Sequence, residues 1–143
     1  GNTLYTKMVA KAQAVLGQSA VNQSKGLIWG QGESDRSGSI DTLYPPAFSA
    51  MIAQLRSDLS LPNLPVMLIG PEPDDQNSHQ GLFIETQENL DQDSGHATAI
   101  PAVHYVERPS GYLSTDGTHP VAEGHRIAGR RAGQRFIDLG YLS

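Results

Sequence analysis

The chain has 143 residues, of which 38% are hydrophobic, and this is enough for one domain with a buried core. Its net charge of −5 gives an acidic surface that repels phosphate, so nucleic acid is not an expected partner. The chain lacks cysteine, which excludes disulfides and thiolate metal sites, and no hydrophobic run reaches the roughly 20 residues that would cross a membrane.

Hydrophobic patterns predict four helices that alternate with three strands. In chain order we expect a helix at 4–16, a strand at 26–30, a helix at 45–59, a strand at 65–69, a helix at 82–91, a strand at 102–106 and a helix at 120–139. Asn2 or Thr3 can cap the first helix, and Gly17 can end it. Pro45 and Pro46 are expected in the first turn of the second helix, where a missing N–H costs nothing.

This order predicts an α/β fold, a three-layer α/β/α sandwich of the flavodoxin-like type built on a parallel sheet. In such sheets functional residues gather in the loops beyond the carboxyl ends of the strands. Three loops of this kind carry polar residues, namely WGQGESD at 29–35, GPEP at 70–73 and STDGTHP at 114–120. The site is therefore predicted at this edge of the sheet.

The pentapeptide DGTHP, residues 116–120, carries the clearest chemical signal. An imidazole can take and return a proton near neutral pH, and it works best when a carboxylate holds one ring nitrogen. A separation of three residues lets Asp116 reach His119 within one loop. The alternative is that Asp116 only caps a turn and His119 only precedes a helix.

The heptapeptide WGQGESD offers a second set of polar groups. Gln31 has an NH₂ donor of the kind that stabilises an oxyanion in acyl transfer. Glu33 can accept from a backbone donor or orient His119. The alternative is that the glycines only allow a tight exit from the strand, while the acids are solvated.

Together, the two blocks resemble a known family. WGQGESD is similar to the W-x-Q-G-E-x-D block of sialic-acid O-acetylesterases and of acetylxylan esterases in carbohydrate esterase family six. DGTHP, followed by Gly124, resembles their D-x-x-H block and the glycine-containing helix after it. These families belong to the SGNH hydrolase superfamily, and the order of elements extends the resemblance over residues 3–139. The resemblance implies hydrolysis of O-acetyl esters of carbohydrates by serine acyl transfer, without a cofactor.

The resemblance also implies a role for each residue. His119 would be the general base and then the general acid, and Asp116 would orient it. Gln31, at the position of the superfamily's oxyanion-hole asparagine, would donate to the oxyanion, and Glu33 would brace the site around the histidine. Trp29 is expected to pack in the core rather than stack on substrate. A secreted or periplasmic location is favoured by the resemblance alone.

The family's nucleophile, a serine in a G-Q-S-N block, is not recognisable in this chain. Ser19 lies in a similar GQSA stretch, but it follows a helix and lacks the asparagine. Only six residues separate it from the strand at Gly26, whereas a parallel crossover needs about a dozen. We therefore expect residues 1–143 to form one domain that is the C-terminal segment of a larger one, lacking its N-terminal strands. An N-terminal fragment or a second, self-associating copy is the expected protein partner.

Two other functions are consistent with the fold class. A non-catalytic carbohydrate-binding module could keep the fold and lose the nucleophile. A nucleotide-binding domain would need a glycine-rich phosphate loop between a strand and a helix, and the acidic WGQGESD would repel phosphate.

No metal site is expected from the sequence. His119 and His125 have no third ligand at helical or hairpin spacing. The segment with Asn89, Asp91 and Asp93 lacks the glycine and the terminal acid of a calcium loop.

Overall fold

The computed structural model describes residues 3–19, 23–31 and 38–142. In chain order the elements are α1 (Leu4–Leu16), β1 (Leu27–Trp29), α2 (Ile40–Asp58), β2 (Val66–Ile69), α3 (Gln80–Glu88), β3 (Val103–Val106) and α4 (Ala122–Asp138). The predicted α/β class and the alternation of helices and strands are confirmed. None of the helices described is long and hydrophobic enough to cross a membrane.

The three strands form one parallel sheet in the order β1-β2-β3. Leu27 pairs with Val66, and Val66 pairs with Val103 on its other side. Because each crossover moves one strand further in the same direction, right-handed connections place α2 and α3 on the same face. The carboxyl ends of all three strands therefore meet at one edge, as predicted.

Side chains of β2 alternate between two hydrophobic clusters. Val66 and Leu68 lie on one face, where residues of α2 and α3 cover them. Met67 and Ile69 lie on the other face, where α4 contributes Phe136 and two alanines. Helices thus pack on both faces of the sheet, and three of these four β2 side chains are completely buried.

The start of α2 corrects one prediction. The helix begins at Ile40, so Pro45 and Pro46 lie inside it rather than in its first turn. Each proline removes a helical hydrogen bond, at about 3 kcal/mol or more. The longer helix buries Ile40 and Tyr44, and the Tyr44 ring stacks on Phe48 with centroids 5.6 Å apart. Burying two large side chains recovers about 1.5–3 kcal/mol each, so packing offsets part of the cost of the missing bonds.

The other helix boundaries lie close to the predicted ones. Thr3 caps α1, with its hydroxyl oxygen accepting from the Thr6 N–H, whereas Asn2 lies outside the described residues. α3 begins two residues before the predicted start and ends three residues earlier than expected. α4 is shorter than predicted by two residues at its start and one at its end.

α1 packs at the end of the sheet opposite to the predicted site. Val9 lies in a cluster with Leu55, near the end of α2, and with Leu64, just before β2. The Tyr5 hydroxyl also donates to the Asp58 carboxylate at 2.7 Å. Residues 17–19 therefore follow a helix that packs at the amino ends of the strands.

Candidate active site

The segment between β3 and α4 folds back on itself and carries the Asp-His motif. The Ser114 N–H donates to the His119 carbonyl at 2.8 Å, and the Val121 N–H donates to the Tyr112 carbonyl at 2.7 Å. Gly117 lies at the tip with a φ of +72°, in the region that favours glycine. The Asp-Gly pair thus forms the turn, and the backbone around it fixes the position of His119.

The two carboxylate oxygens of Asp116 have different roles. Oδ1 accepts hydrogen bonds from the Ser114 hydroxyl (2.7 Å) and from the N–H groups of Thr118 and His119 (2.9 Å each). Oδ2 lies 2.8 Å from His119 Nδ1. Asp116 therefore builds the turn through one oxygen and contacts the imidazole through the other.

The electrostatics of this pair keep the carboxylate charged. The Ser114 hydroxyl, followed by the N–H groups of His119 and Thr118, holds the pKa of Asp116 well below its usual range. An ionised Oδ2 accepts a hydrogen bond from the protonated Nδ1 of His119, which leaves Nε2 to accept a proton. The two side chains remain accessible, with exposed fractions of 68% for His119 and 53% for Asp116.

Gly124 lets α4 approach the loop that carries His119. A Cβ at this position would lie 2.8 Å from Tyr112 Cβ and 3.2 Å from Pro120 Cβ. These residues stand on the two sides of the folded segment, so the helix start and the loop are packed directly together. The glycine after the D-x-x-H block therefore has a packing role.

We expect Gly124→Ala to destabilise the protein although alanine favours helix. The added methyl group overlaps Tyr112 and Pro120, and such overpacking costs about 1–3 kcal/mol. Urea denaturation followed by circular dichroism measures the change in the free energy of unfolding.

Gly129→Ala is the matched control in the same helix. Its Cβ would meet nothing within 4 Å, so it should gain up to about 1 kcal/mol from helix propensity. Equal stability of the two variants would contradict the close approach at Gly124.

Arg108 lies among the carboxyl ends of the three strands. It lies two residues after β3 and is 4% exposed. Its Nε donates to the Gly70 carbonyl, just after β2, at 2.8 Å. Its Nη2 would lie 3.6 Å from a Cβ at Gly30, just after β1, and its Nη1 lies 3.4 Å from His125 Nδ1 on α4. One guanidinium therefore joins the end of β2 to the helix that follows His119, and it lies close to the end of β1 beside Gln31.

Gln31 is exposed, and its backbone carbonyl accepts a hydrogen bond from a buried side chain of α3. The Gln87 side chain, completely buried on α3, donates to the Gln31 carbonyl and lies 3.2 Å from the Tyr44 hydroxyl. Trp29 packs against Phe48 with ring centroids 6.4 Å apart, as expected for a core residue. Glu33 lies outside the described residues.

Glu72 is a buried acid at the same edge, in the GPEP loop after β2. It is 1% exposed, and burial followed by the charge of Asp74 raises its pKa, whereas the charge of Arg108 opposes this shift. Sequence reasoning assigned no role to Glu72, Arg108 or Gln87. In the sequence, Arg108 could have been noticed as a single basic residue two positions after a predicted strand. Nothing in the sequence around Gln87 indicates its contact with Gln31.

Ser19, the serine of the GQSA stretch, lies in the described part of the chain. It follows α1, which packs near the amino ends of the strands. His119 follows β3 at the carboxyl edge. The two residues are therefore placed toward opposite ends of the sheet.

Comparison with solved structures identifies a relative of the same fold. An Arabidopsis thaliana protein, solved by X-ray crystallography at 1.6 Å resolution, aligns with a TM-score of 0.77 and 24% identity. The alignment covers 96% of this chain and 53% of the Arabidopsis chain, so the chain spans about half the length of that protein. A search of curated proteins found no match.

The family assignment rests on a match over nearly the whole chain. Residues 1–138 match the model of a carbohydrate esterase family described as sialic acid-specific acetylesterase. Both predicted blocks, and the Asp116–His119 pair that the fold forms, lie within the matched residues. The chain therefore belongs to the sialic acid-specific acetylesterase family of carbohydrate esterases.

Proposed function

We propose that this chain supplies the Asp-His pair and an oxyanion donor to an SGNH-type hydrolase that removes acetyl groups from carbohydrates by serine acyl transfer. The observation that carries the proposal is the 2.8 Å contact between Asp116 Oδ2 and His119 Nδ1. That contact prepares Nε2 as a base. Family membership supports ester hydrolysis on a carbohydrate as the reaction class.

In this mechanism His119 moves the proton at each step. Its Nε2 takes the proton of the serine hydroxyl as the oxygen attacks the acetyl carbonyl. The carbonyl oxygen becomes negative, and the Gln31 NH₂ group donates a hydrogen bond to it. His119 then gives the proton to the departing sugar hydroxyl, leaving an acetyl-serine. A water molecule, deprotonated by the same Nε2, releases acetate and restores the serine.

Asp116 acts through His119. While the imidazole carries the extra proton, the carboxylate stabilises its positive charge across the Nδ1–Oδ2 hydrogen bond. The lowered pKa of Asp116 suits this role, since a carboxylate that stays ionised leaves the transferred proton on the imidazole. Ser114, which donates to the opposite oxygen, is a positioning residue for the pair.

The nucleophilic serine is proposed to lie outside these 143 residues, on a strand contributed by the rest of a larger domain. The 143-residue chain should therefore neither hydrolyse an acetyl ester nor react with a fluorophosphonate at a serine. Joining or mixing it with a segment that carries the G-Q-S strand should produce both activities. Mass spectrometry of labelled peptides locates the reacting residue, and stoichiometric labelling of Ser19 in the 143-residue chain would overturn this assignment.

The same two preparations, the 143-residue chain alone and the chain supplied with the G-Q-S segment, distinguish the esterase from a non-catalytic carbohydrate-binding module. A module would bind the acetylated sugar in a titration but would show no turnover after the G-Q-S segment is supplied. Turnover that depends on His119 excludes it.

Gln31→Ala should lower kcat by about 10²-fold while changing KM little, because an oxyanion donor acts mainly in the transition state. Steady-state kinetics on an acetyl ester in the active protein separate the two constants. Gln54→Ala, an exposed glutamine on α2, serves as the control and should leave both unchanged. A large rise in KM at constant kcat would mean instead that Gln31 binds the substrate.

A further inference from the structure

A second group of polar side chains lies along the outer edge of β3, the edge that does not pair with β2. The segment after α3 runs beside this edge. The Gln92 N–H donates to the Val103 carbonyl at 2.8 Å, and the Tyr105 N–H donates to Asp91 Oδ2 at 2.7 Å. Asp91 Oδ1 also accepts from the Asp93 N–H at 2.8 Å. The Asp91 carboxylate is thus held against the strand that contains His104, and Asp93 is held next to it.

One ring nitrogen of His104 makes a hydrogen-bond contact, and the other has no hydrogen-bond partner among the described residues. Its side chain is completely buried, and its Nε2 lies 3.1 Å from the Tyr141 hydroxyl. Within residues 3–19, 23–31 and 38–142, nothing forms a hydrogen bond with its buried Nδ1. Burial also lowers the pKa of His104, which favours the neutral imidazole. When Nε2–H donates to Tyr141, Nδ1 carries a buried lone pair, and a buried polar atom of this kind needs a partner.

We propose that Asp91, Asp93 and His104 bind a divalent transition-metal cation of the zinc type. One ligand atom from each residue lies within 4.8 Å of the others, so one ion between them would be near all three. Water would complete the coordination, because Asp93 is exposed.

The ligand set decides the class of cation. A neutral imidazole nitrogen with carboxylate oxygens suits zinc and its neighbours in the first transition series, whereas calcium and magnesium prefer oxygen ligands alone. Metal-binding histidines usually have their second nitrogen held by a hydrogen bond, and Tyr141 provides that contact. Two negative charges attract the cation, and Arg135, which also acts on His104, opposes them with one positive charge.

The sequence predicts no metal site because metal ligands are recognised in a sequence by helical or hairpin spacing, and these three residues have neither. The fold joins ligands from a loop and a strand that are 11 to 13 positions apart. A bound cation would fasten the segment at 91–93 to the outer edge of β3. The site is therefore structural, and it is separate from the Asp116–His119 pair in the loop that follows the carboxyl end of the strand.

Isothermal titration calorimetry on the 143-residue chain, first stripped of metal with a chelator, tests the site. Zinc should bind with one ion per chain, and magnesium and calcium should bind at least about 10-fold more weakly. Asp93→Asn should weaken zinc binding by about 10-fold or more, since it removes a charged ligand at an exposed position that tolerates substitution. His96→Gln, which changes an exposed histidine in the same region, is the control and should leave the affinity unchanged.

Nitrogen-15 spectra of the histidine side chains identify the ligand without any substitution in the core. Zinc should shift the Nδ1 resonance of His104. Absence of saturable zinc binding, unchanged affinity in Asp93→Asn, or a shift confined to another histidine would overturn the proposal. Because the readouts are affinity and resonance position, they stand independently of esterase activity.

Discussion

Replacing His119 with alanine is expected to lower kcat by about 10⁴-fold or more in the active esterase. His119 is the group proposed to take the proton from the nucleophile and to return it to the leaving sugar hydroxyl. Without it, an unactivated hydroxyl must attack the ester, and only substrate binding and oxyanion stabilisation remain. Steady-state kinetics on an acetyl ester provide the measurement, and a similar loss in kcat/KM indicates that the chemical step is affected.

His96→Ala is the matched control for this experiment, because it removes an exposed histidine that lies outside the proposed site. Its kcat should equal that of the unmodified protein. Fluorophosphonate reactivity should fall together with turnover in His119→Ala, since both depend on a deprotonated hydroxyl. Turnover near the unmodified rate in His119→Ala would remove this residue as the base.

Asp116→Asn should lower kcat by about 10²–10⁴-fold while leaving the fold intact. The amide oxygen of asparagine can still accept the three hydrogen bonds that Oδ1 accepts from Ser114 and the turn. Its NH₂ group then faces His119 Nδ1, where an acceptor is required. The imidazole would present its other tautomer, and Nε2 would carry a proton instead of accepting one.

A titration to acid pH tests how firmly the turn holds the charge of the Asp116 carboxylate. The lowered pKa of Asp116 means that its contacts contribute to stability above the ordinary aspartate range. That contribution is lost only as the pH falls through the lowered value. The Asp116–His119 hydrogen bond should therefore persist at pH about 4, where an unperturbed aspartic acid is about half protonated.

Nuclear magnetic resonance of the His119 ring follows this contact during acidification, and Asp116→Asn, which has no carboxyl group to titrate, provides the reference. If the Asp116 carboxyl titrated at an ordinary aspartate pH, the turn would not hold the charge as described. Normal turnover by Asp116→Asn would show that the residue serves the turn alone.

Much of the fold could be predicted because its signals are local. Each strand is a short hydrophobic run, and Asp116 is close enough in sequence for its turn to determine where it meets His119. The start of α2 was missed because the proline rule describes a helix alone, whereas the burial of Ile40 and Tyr44 depends on the sheet.

The rest of the candidate site depends on contacts between distant residues. Gln87 reaches the Gln31 carbonyl across 56 positions, and Arg108 reaches the Gly70 carbonyl across 38. No spacing in the sequence indicates such pairs, since they form only after the strands have aligned. Residues that build a site from opposite parts of the sheet are therefore the ones a single sequence does not reveal.

The two oxygens of Asp116 make different contacts, and this has a consequence for how such chains evolve. If the proposed esterase activity were lost in a descendant of this chain, the His119 side chain could be replaced without cost to the turn. Asp116 would still be required, because Oδ1 accepts three hydrogen bonds that shape the loop. An aspartate at this position is therefore a poor marker of activity, whereas under the proposed mechanism the histidine would be retained only where esters are cleaved.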